Sequence, residues 1–259
     1  MPSSRAVPRW VITEGFVDEE IGTVSAGKEA GCFVVRRSAG ERWCLLIRKD
    51  YRKRSDRTYK QPVRAGERTF RRDTYAESAT IPAQAGAARY GDARLLRAIA
   101  KRTALGKEVI ENAWLSNEFD MLTRLWEAGV RVPYPVAREE HALWMQYVGS
   151  GDTAAPRLAD VRPRDSAARE LFDRVLDEMI AMTSAGVVHG DLSAYNVLVQ
   201  HGRPWIIDVP QAVDLYTNRH GPDLLRRDVH NVCAYFAKRG VNCDGGTLAD
   251  DLLAGRLRR

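Results

Sequence analysis

The sequence predicts an α+β protein of two lobes, and three observations predict it. Short apolar runs of strand composition dominate the first half: Cys32-Phe-Val-Val35, Trp43 to Ile47 and Ala142 to Val148, the first two paired across Ser38-Ala-Gly40 as an antiparallel hairpin. The second half carries two long amphipathic helix patterns around one short hairpin. Between them Gly149-Ser-Gly151 interrupts all periodicity and sets the boundary, giving a small N-terminal lobe over 1–148, an antiparallel sheet plus one helix, and a mostly helical C-terminal lobe over 149–259.

At 259 residues, 44% hydrophobic and 29% charged, the chain has the balance of an ordinary globular protein. No apolar run approaches the roughly 20 residues of a membrane span, and MPSSRAVPRWV lacks a secretory pattern, so the expectation is a cytoplasmic protein with no membrane partner. Cys32, Cys44, Cys233 and Cys243 show no metal-like rhythm and are expected to be buried free thiols. The net charge of +6 is local: residues 48 to 72 hold eleven Lys/Arg against three Asp/Glu, leaving the remainder slightly acidic. Such a run suits RNA, a ribosome surface or nucleotide phosphates, and equally a solvated loop.

Taken in order, residues 1 to 20 read as a lead-in. GTVSAGKEAG (22–31) is glycine-rich and precedes a strand, so its backbone N–H groups can approach phosphates; a plain hairpin turn has the same composition. It is not a Walker A loop, because Lys28 is followed by Glu29 and no helix pattern starts there. A helix is predicted near 88–101. A stronger one carries Leu115, Phe119, Leu122 and Trp126 at spacings of 4, 3 and 4 and ends at Gly129. On periodicity alone, Glu118 beside that stripe is an exposed helix carboxylate. Val130 to Pro135 is extended because of its prolines. A helix over about 166–185 presents Phe172, Val175, Met179 and Met182, strands follow at 197–199 and 205–207, and a last helix over about 223–238 presents Leu225, Val229, Val232 and Phe236.

The chemistry concentrates in VVHGDLSAYNVLVQHGRPWIIDVP (187–210). Phosphoryl transfer needs a carboxylate to orient the attacking hydroxyl and hard oxygen ligands to hold magnesium against a triphosphate. Asp191, in a loop between Gly190 and Leu192, suits the first role. Asn196 and Asp208, at the two ends of a hairpin that folds the chain back, suit the second. Taken singly, each is an ordinary turn or cap residue. His189 is expected to be structural, bonding the loop backbone.

HGDLSAYNVLV and IIDVPQAVD resemble the catalytic and metal loops of the RIO family of atypical serine/threonine protein kinases, in a bacterial-type form without an evident N-terminal winged helix. VSAGKEA (24–30) is similar to that family's phosphate loop, and the resemblance extends through WLSNEFDMLTRLWEAGVRVPYPV to LLRRDVHNVCAYF. It implies a two-lobed protein-kinase-like fold and an ATP- and Mg²⁺-dependent kinase, with Mn²⁺ as a substitute ion. Asp191 would be the catalytic aspartate, and Asn196 and Asp208 the metal ligands. Ser25, Gly27 and Lys28 would contact ATP phosphates, and Lys49 would anchor ATP with Glu118 as its helix partner. Met145, Tyr147 and Val148 would belong to the hinge holding adenine. The partners implied are ATP and an unidentified protein substrate, with RNA or ribosome contact through 48–72.

The chain departs from the family pattern with Val209 in place of phenylalanine, Gln146 in place of glutamate and a longer basic loop, none of which removes a required charge. An active enzyme is therefore expected, working mainly by autophosphorylation or as an ATPase through a phosphorylated Asp208. The competing classes are a small-molecule phosphotransferase of the aminoglycoside type and a nucleotide-switched RNA- or ribosome-binding module.

Overall fold

The computed structural model describes residues 8–13, 15–26, 30–51, 92–101 and 103–257. Gly27, Lys28 and most of the basic run lie outside these residues. The chain forms two compact units, Met1–Pro62 with Pro133–Tyr147, and Val63–Val132 with Val148–Arg259.

The first unit is a five-stranded antiparallel sheet of order β1-β2-β3-β5-β4, built from β1 (Val17–Ala26), β2 (Ala30–Ala39), β3 (Arg42–Tyr51), β4 (Pro135–Arg138) and β5 (Ala142–Gln146). The hairpin predicted between β2 and β3 is present, and Gly40 supplies the left-handed φ of 61° that its turn requires. Both strands outrun their apolar centres. Residues 17–20, expected to be lead-in, belong to β1, which bulges twice, between Glu20 and Gly22 and between Thr23 and Ser25. The polar composition of Asp18-Glu19-Glu20 hid this strand, because it lies at the sheet edge. One sheet face is closed by a 3₁₀ turn at Arg9–Val11, which places Val11 on Val35, Leu46 and Trp144. Arg37 lies buried in the same layer, stacked on Phe16 and ion-paired to Asp18 at 2.7 Å.

The second unit contains α1 (Ala93–Ala100), α2 (Ala104–Glu127), α3 (Leu158–Val161), α4 (Asp165–Ser184), α5 (Gly221–Ala237) and α6 (Gly245–Leu253). Short strand pairs β6/β7 (Gly149–Ser150, Thr153–Ala154), β8/β11 (Val187–Val188, Val213–Asp214) and β9/β10 (Val197–Gln200, Arg203–Ile206) lie between the helices. Helix α2, expected beside the strands of the N-terminal lobe, clusters with this unit. The predicted stripe of α5 is buried in full, Leu225, Val229, Val232 and Phe236 all falling within the core. At roughly 1.5–3 kcal/mol for each side chain, that burial fixes which face of α5 points inward. Helix α6, at a C-terminal end whose sequence alone assigned no element, starts from an Asp244 cap whose carboxylate accepts the N–H groups of Gly246 and Thr247. The expectation of four free thiols is corrected: Cys233 of α5 is disulfide-bonded to Cys243, while Cys32 and Cys44 stand outside any disulfide and are half-buried. The bonded pair lies 10 positions apart in sequence, and the chain reversal between α5 and α6 brings their Cα atoms to 5.7 Å, which their spacing in sequence did not reveal.

Candidate active site

In the second unit the segment 187–212 is folded back on itself by polar contacts. His189, almost wholly buried, lies with Nε2 3.0 Å from the carbonyl of Ile207, and its Nδ1 accepts the N–H of Asp191 at 3.3 Å. These two contacts tie the ring to the loop backbone at both nitrogens, so the histidine is the structural tie expected of it. Asn196 donates its Nδ2 to the carbonyl of Asp191 at 2.9 Å, and its own carbonyl accepts the N–H of Ile207 at 3.0 Å. Ile207 is thus held on both sides, and the next residue, Asp208, is delivered beside the Asp191–Asn196 loop.

The three oxygen-bearing side chains differ in exposure. Asp191 and Asn196 are half-buried, whereas Asp208 is exposed and adopts a left-handed φ of 63°. For a residue other than glycine that conformation is uncommon and is held only where the surroundings dictate it. With the Asn196 amide nitrogen bound to a backbone carbonyl, its Oδ1 is the part left to face a hard cation. Among the described residues no group of three or more His, Cys, Asp or Glu could hold a metal ion. Magnesium does not need one, because one or two protein oxygens plus substrate phosphates and waters complete its octahedron. Asn196 and Asp208 fit that donor set.

Helix α5 holds the loop from below. Asp228, buried, accepts the N–H of Gly190 on Oδ2 and that of Leu192 on Oδ1, both at 2.8 Å. Arg227 donates to the carbonyl of Gly190, and Asn231 to that of Leu192 at 3.1 Å. Burial pushes the Asp228 carboxyl above its ordinary range, and His189 together with the two N–H donors offsets part of that rise. None of these three α5 residues was expected as part of the site. Gly190 has a φ of 77°, and a Cβ there would meet the carbonyl oxygen of Gln211 at 2.7 Å, so the glycine is required on two counts. Gln211 itself donates from Nε2 to Oδ2 of Asp191 at 3.4 Å.

Glu118, on α2, is corrected from an exposed carboxylate to one of the most deeply buried side chains, at 1% exposure. Val209, where the family pattern has phenylalanine, is buried as well.

In the first unit, Ser25, Cys32, Lys49 and Leu143 are successive cross-strand partners, so they form one row across β1, β2, β3 and β5 on a single face. The predicted phosphate-binding serine and the predicted ATP-anchoring lysine therefore sit two strands apart, about 10 Å. Lys49 lies well inside β3, although the apolar run stops short of it, and is buried to 8% exposure. Ile47 and Met145, paired with each other, lie on the same face and are half-buried. Tyr147 donates its N–H to Leu45 at 3.3 Å, and Gln146 donates its own to Tyr134 at 2.8 Å while its Oε1 accepts the N–H of Tyr134. The amide's acceptor oxygen thus does locally what a carboxylate would do. Val148, in the second unit, accepts from Ala155 at 3.0 Å.

Comparison with known proteins follows the same residues. The RIO domain family matches residues 87–247, which include Glu118, Asp191, Asn196, Asp208 and Asp228. The chain is 38% identical over 142 residues to the RIO-type serine/threonine-protein kinase Rio1 of Haloferax volcanii, covering 55% of this chain and 48% of that one. It is 29% identical over 241 residues to human serine/threonine-protein kinase RIO1, covering 93% of this chain and 37% of that one. Against the Rio1 kinase of Thermoplasma acidophilum it is 35% identical over 131 residues, covering 51% and 67%. The chain spans about half or less of the length of the first two relatives. With the domain match running over more than half of its residues, and with the folded-back loop placed inside that match, the chain belongs to the RIO family.

Proposed function

We propose that the chain is an ATP- and Mg²⁺-dependent serine/threonine protein kinase that acts mainly by autophosphorylation or as an ATPase. The observation that carries this reading is the double tether of Ile207, to Asn196 and to His189, which sets Asp208 beside the loop of Asp191. A carboxylate to orient the nucleophile and an amide and carboxylate oxygen for the metal are the protein's share of phosphoryl transfer. When bound, magnesium and the triphosphate supply the electrophilic phosphorus and the neutralising charge.

Asp191 takes the catalytic role, Asn196 and Asp208 the metal, and Ser25, Gly27, Lys28 and Lys49 the phosphates. Met145, Tyr147 and Val148 are assigned to adenine. The roles that the resemblance gives to Lys49 and Glu118 are part of the same proposal, and Mn²⁺ is expected to replace Mg²⁺. The protein substrate is unidentified, and RNA or ribosome contact is assigned to the basic run 48–72. Among the described residues no helix is long and apolar enough to cross a membrane, and the proposed location is the cytoplasm. Incubation of the purified protein with γ-labelled ATP and magnesium tests the reading: label should appear on the protein or as free phosphate, and its absence from both overturns the reading.

A further inference from the structure

The Cys233–Cys243 disulfide has no part in the reaction proposed above, yet it ends on the helix that holds the catalytic loop. Arg227, Asp228 and Asn231 occupy one turn of α5 and bind the backbone of Gly190 and Leu192, on both sides of Asp191. Cys233 begins the next turn, just past Asn231, whose Nδ2 donates to the carbonyl of Leu192 at 3.1 Å. From there the bond reaches across the reversal at Gly240, with its φ of 80°, to Cys243, which directly precedes the Asp244 cap of α6. The start of α6 is thus fastened to the part of α5 beside the loop tethers. Without that bond, α6 is held through the buried Ala249 and Leu252 and through the exposed ion pair of Arg226 with Asp250 at 3.2 Å, a contact of little weight in water.

The pair can be reached. Cys233 is buried, but Cys243 is half-buried. A cleft of about 240 Å³, lined by Arg226, His230, Gly245, Gly246 and Ala249, lies beside it. Gly245 has no side chain to cover Cys233, and a Cβ there would stand 3.8 Å from its Sγ. In the cytoplasm, the location proposed above, thiols are kept reduced, and a disulfide that forms there is characteristically transient and redox-sensing.

We propose that Cys233 and Cys243 form a redox switch that acts on the catalytic loop through Asn231. Oxidised, the pair fixes α5 against Leu192 and turnover is fast; reduced, the tether slackens and turnover falls. The inference rests on the phosphotransferase reading above. The co-reactant is a dithiol–disulfide couple. In reduction, a thiolate of the dithiol attacks the more accessible Cys243 sulfur and forms a mixed disulfide. The Cys233–Cys243 bond breaks with its electron pair on Cys233, which takes up a proton. The second thiol of the dithiol then gives up its proton and closes on the first sulfur, releasing Cys243 as a thiolate that is protonated in turn. Two electrons pass from the dithiol to the pair, and oxidation runs the same steps in reverse.

The test compares wild type, Cys243→Ser and Asn231→Ala after oxidation with glutathione disulfide or reduction with dithiothreitol, the thiol state being read by alkylation and peptide mass. ATP turnover with magnesium, Tm and hydrogen exchange in 187–196 are measured in both states. Reduction of the wild type should lower kcat roughly 3- to 10-fold, the weight of one hydrogen bond, with KM for ATP nearly constant. It should also lower Tm by roughly 5–10 °C and speed exchange in the loop. Cys243→Ser should show the reduced kcat under both conditions. Asn231→Ala should keep the Tm shift but lose the kcat response, which a cross-link that merely stabilises the fold would not do. Alkylation of all four cysteines after oxidation overturns the inference, as does a kcat response that survives in Cys243→Ser or in Asn231→Ala. A Tm shift with equal turnover in the two states marks a structural cross-link and overturns it as well, leaving the kinase reading intact. A wild type that turns over no ATP in either state overturns the kinase reading, and the inference with it. Asn231→Leu takes the place of Asn231→Ala if that variant fails to fold.

Discussion

Asp228 and Leu192, 36 residues apart, are joined by a buried 2.8 Å hydrogen bond from the Leu192 N–H to Oδ1 of the aspartate. Its other oxygen takes the N–H of Gly190, so one helix side chain fixes the backbone on both sides of Asp191. Asp228→Ala would leave two buried N–H groups without an acceptor, at about 1–3 kcal/mol each. Urea unfolding should show a loss of about 2–5 kcal/mol, and Asp228→Asn, which keeps one acceptor, should fall between. A loss below about 1 kcal/mol for the alanine variant would mean that the loop is held by other contacts.

Asp214 introduces a pH dependence. Burial pulls its carboxyl up, but the Arg124 guanidinium at 2.8 Å and the N–H groups of Thr217 and Tyr216 outweigh it and hold the group below its ordinary value. A carboxyl with a depressed folded pKa stabilises the fold above its unfolded pKa of about 4, and that stability is lost as pH falls through the lower folded value. The Tm difference between wild type and Asp214→Asn should be largest near neutral pH and shrink below about pH 4. A difference independent of pH from 7 to 3 contradicts the assignment.

Lys49 offers a test of the nucleotide assignment in the first unit. Lys49→Met keeps the length and apolar stem in β3 while removing the cation. Turnover of ATP should drop by roughly 100-fold, with Tm little changed. Steady-state ATPase kinetics and a thermal melt decide it, and retained turnover would remove Lys49 from the phosphate site.

The strands and helices with clean periodicity were legible because one face of each is buried: Phe172, Val175, Met179 and Met182 on α4, and the α5 stripe, lie where their spacing put them. Less legible were acids set into those stripes. Glu118 follows Leu115 by three positions, Glu178 follows Val175 by three, and Asp228 follows Leu225 by three, each therefore on the apolar face of its helix. All three are buried. Glu178 accepts the N–H of Arg131 at 2.7 Å, and Asp228 holds the loop. A carboxylate at an apolar-face position is the signal that finds such residues, and reading Glu118 as exposed overlooked it. Neither strand β1 nor the Cys233–Cys243 bond had a signal of this kind: β1 is a polar strand at the sheet edge, and the two cysteines meet only once the chain reverses between α5 and α6.

The central claim is that the loop of Asp191 carries phosphoryl transfer, and Asp191→Asn tests it most directly. The amide is the size of the carboxylate and leaves the backbone ties of Asp191 to Asn196 and His189 available. With γ-labelled ATP and magnesium, the account predicts that wild-type turnover is lost by at least about 100-fold in the variant. Stabilisation by ATP and magnesium should stay within about 1 kcal/mol of wild type. Turnover equal to wild type, with ATP still bound, would contradict it.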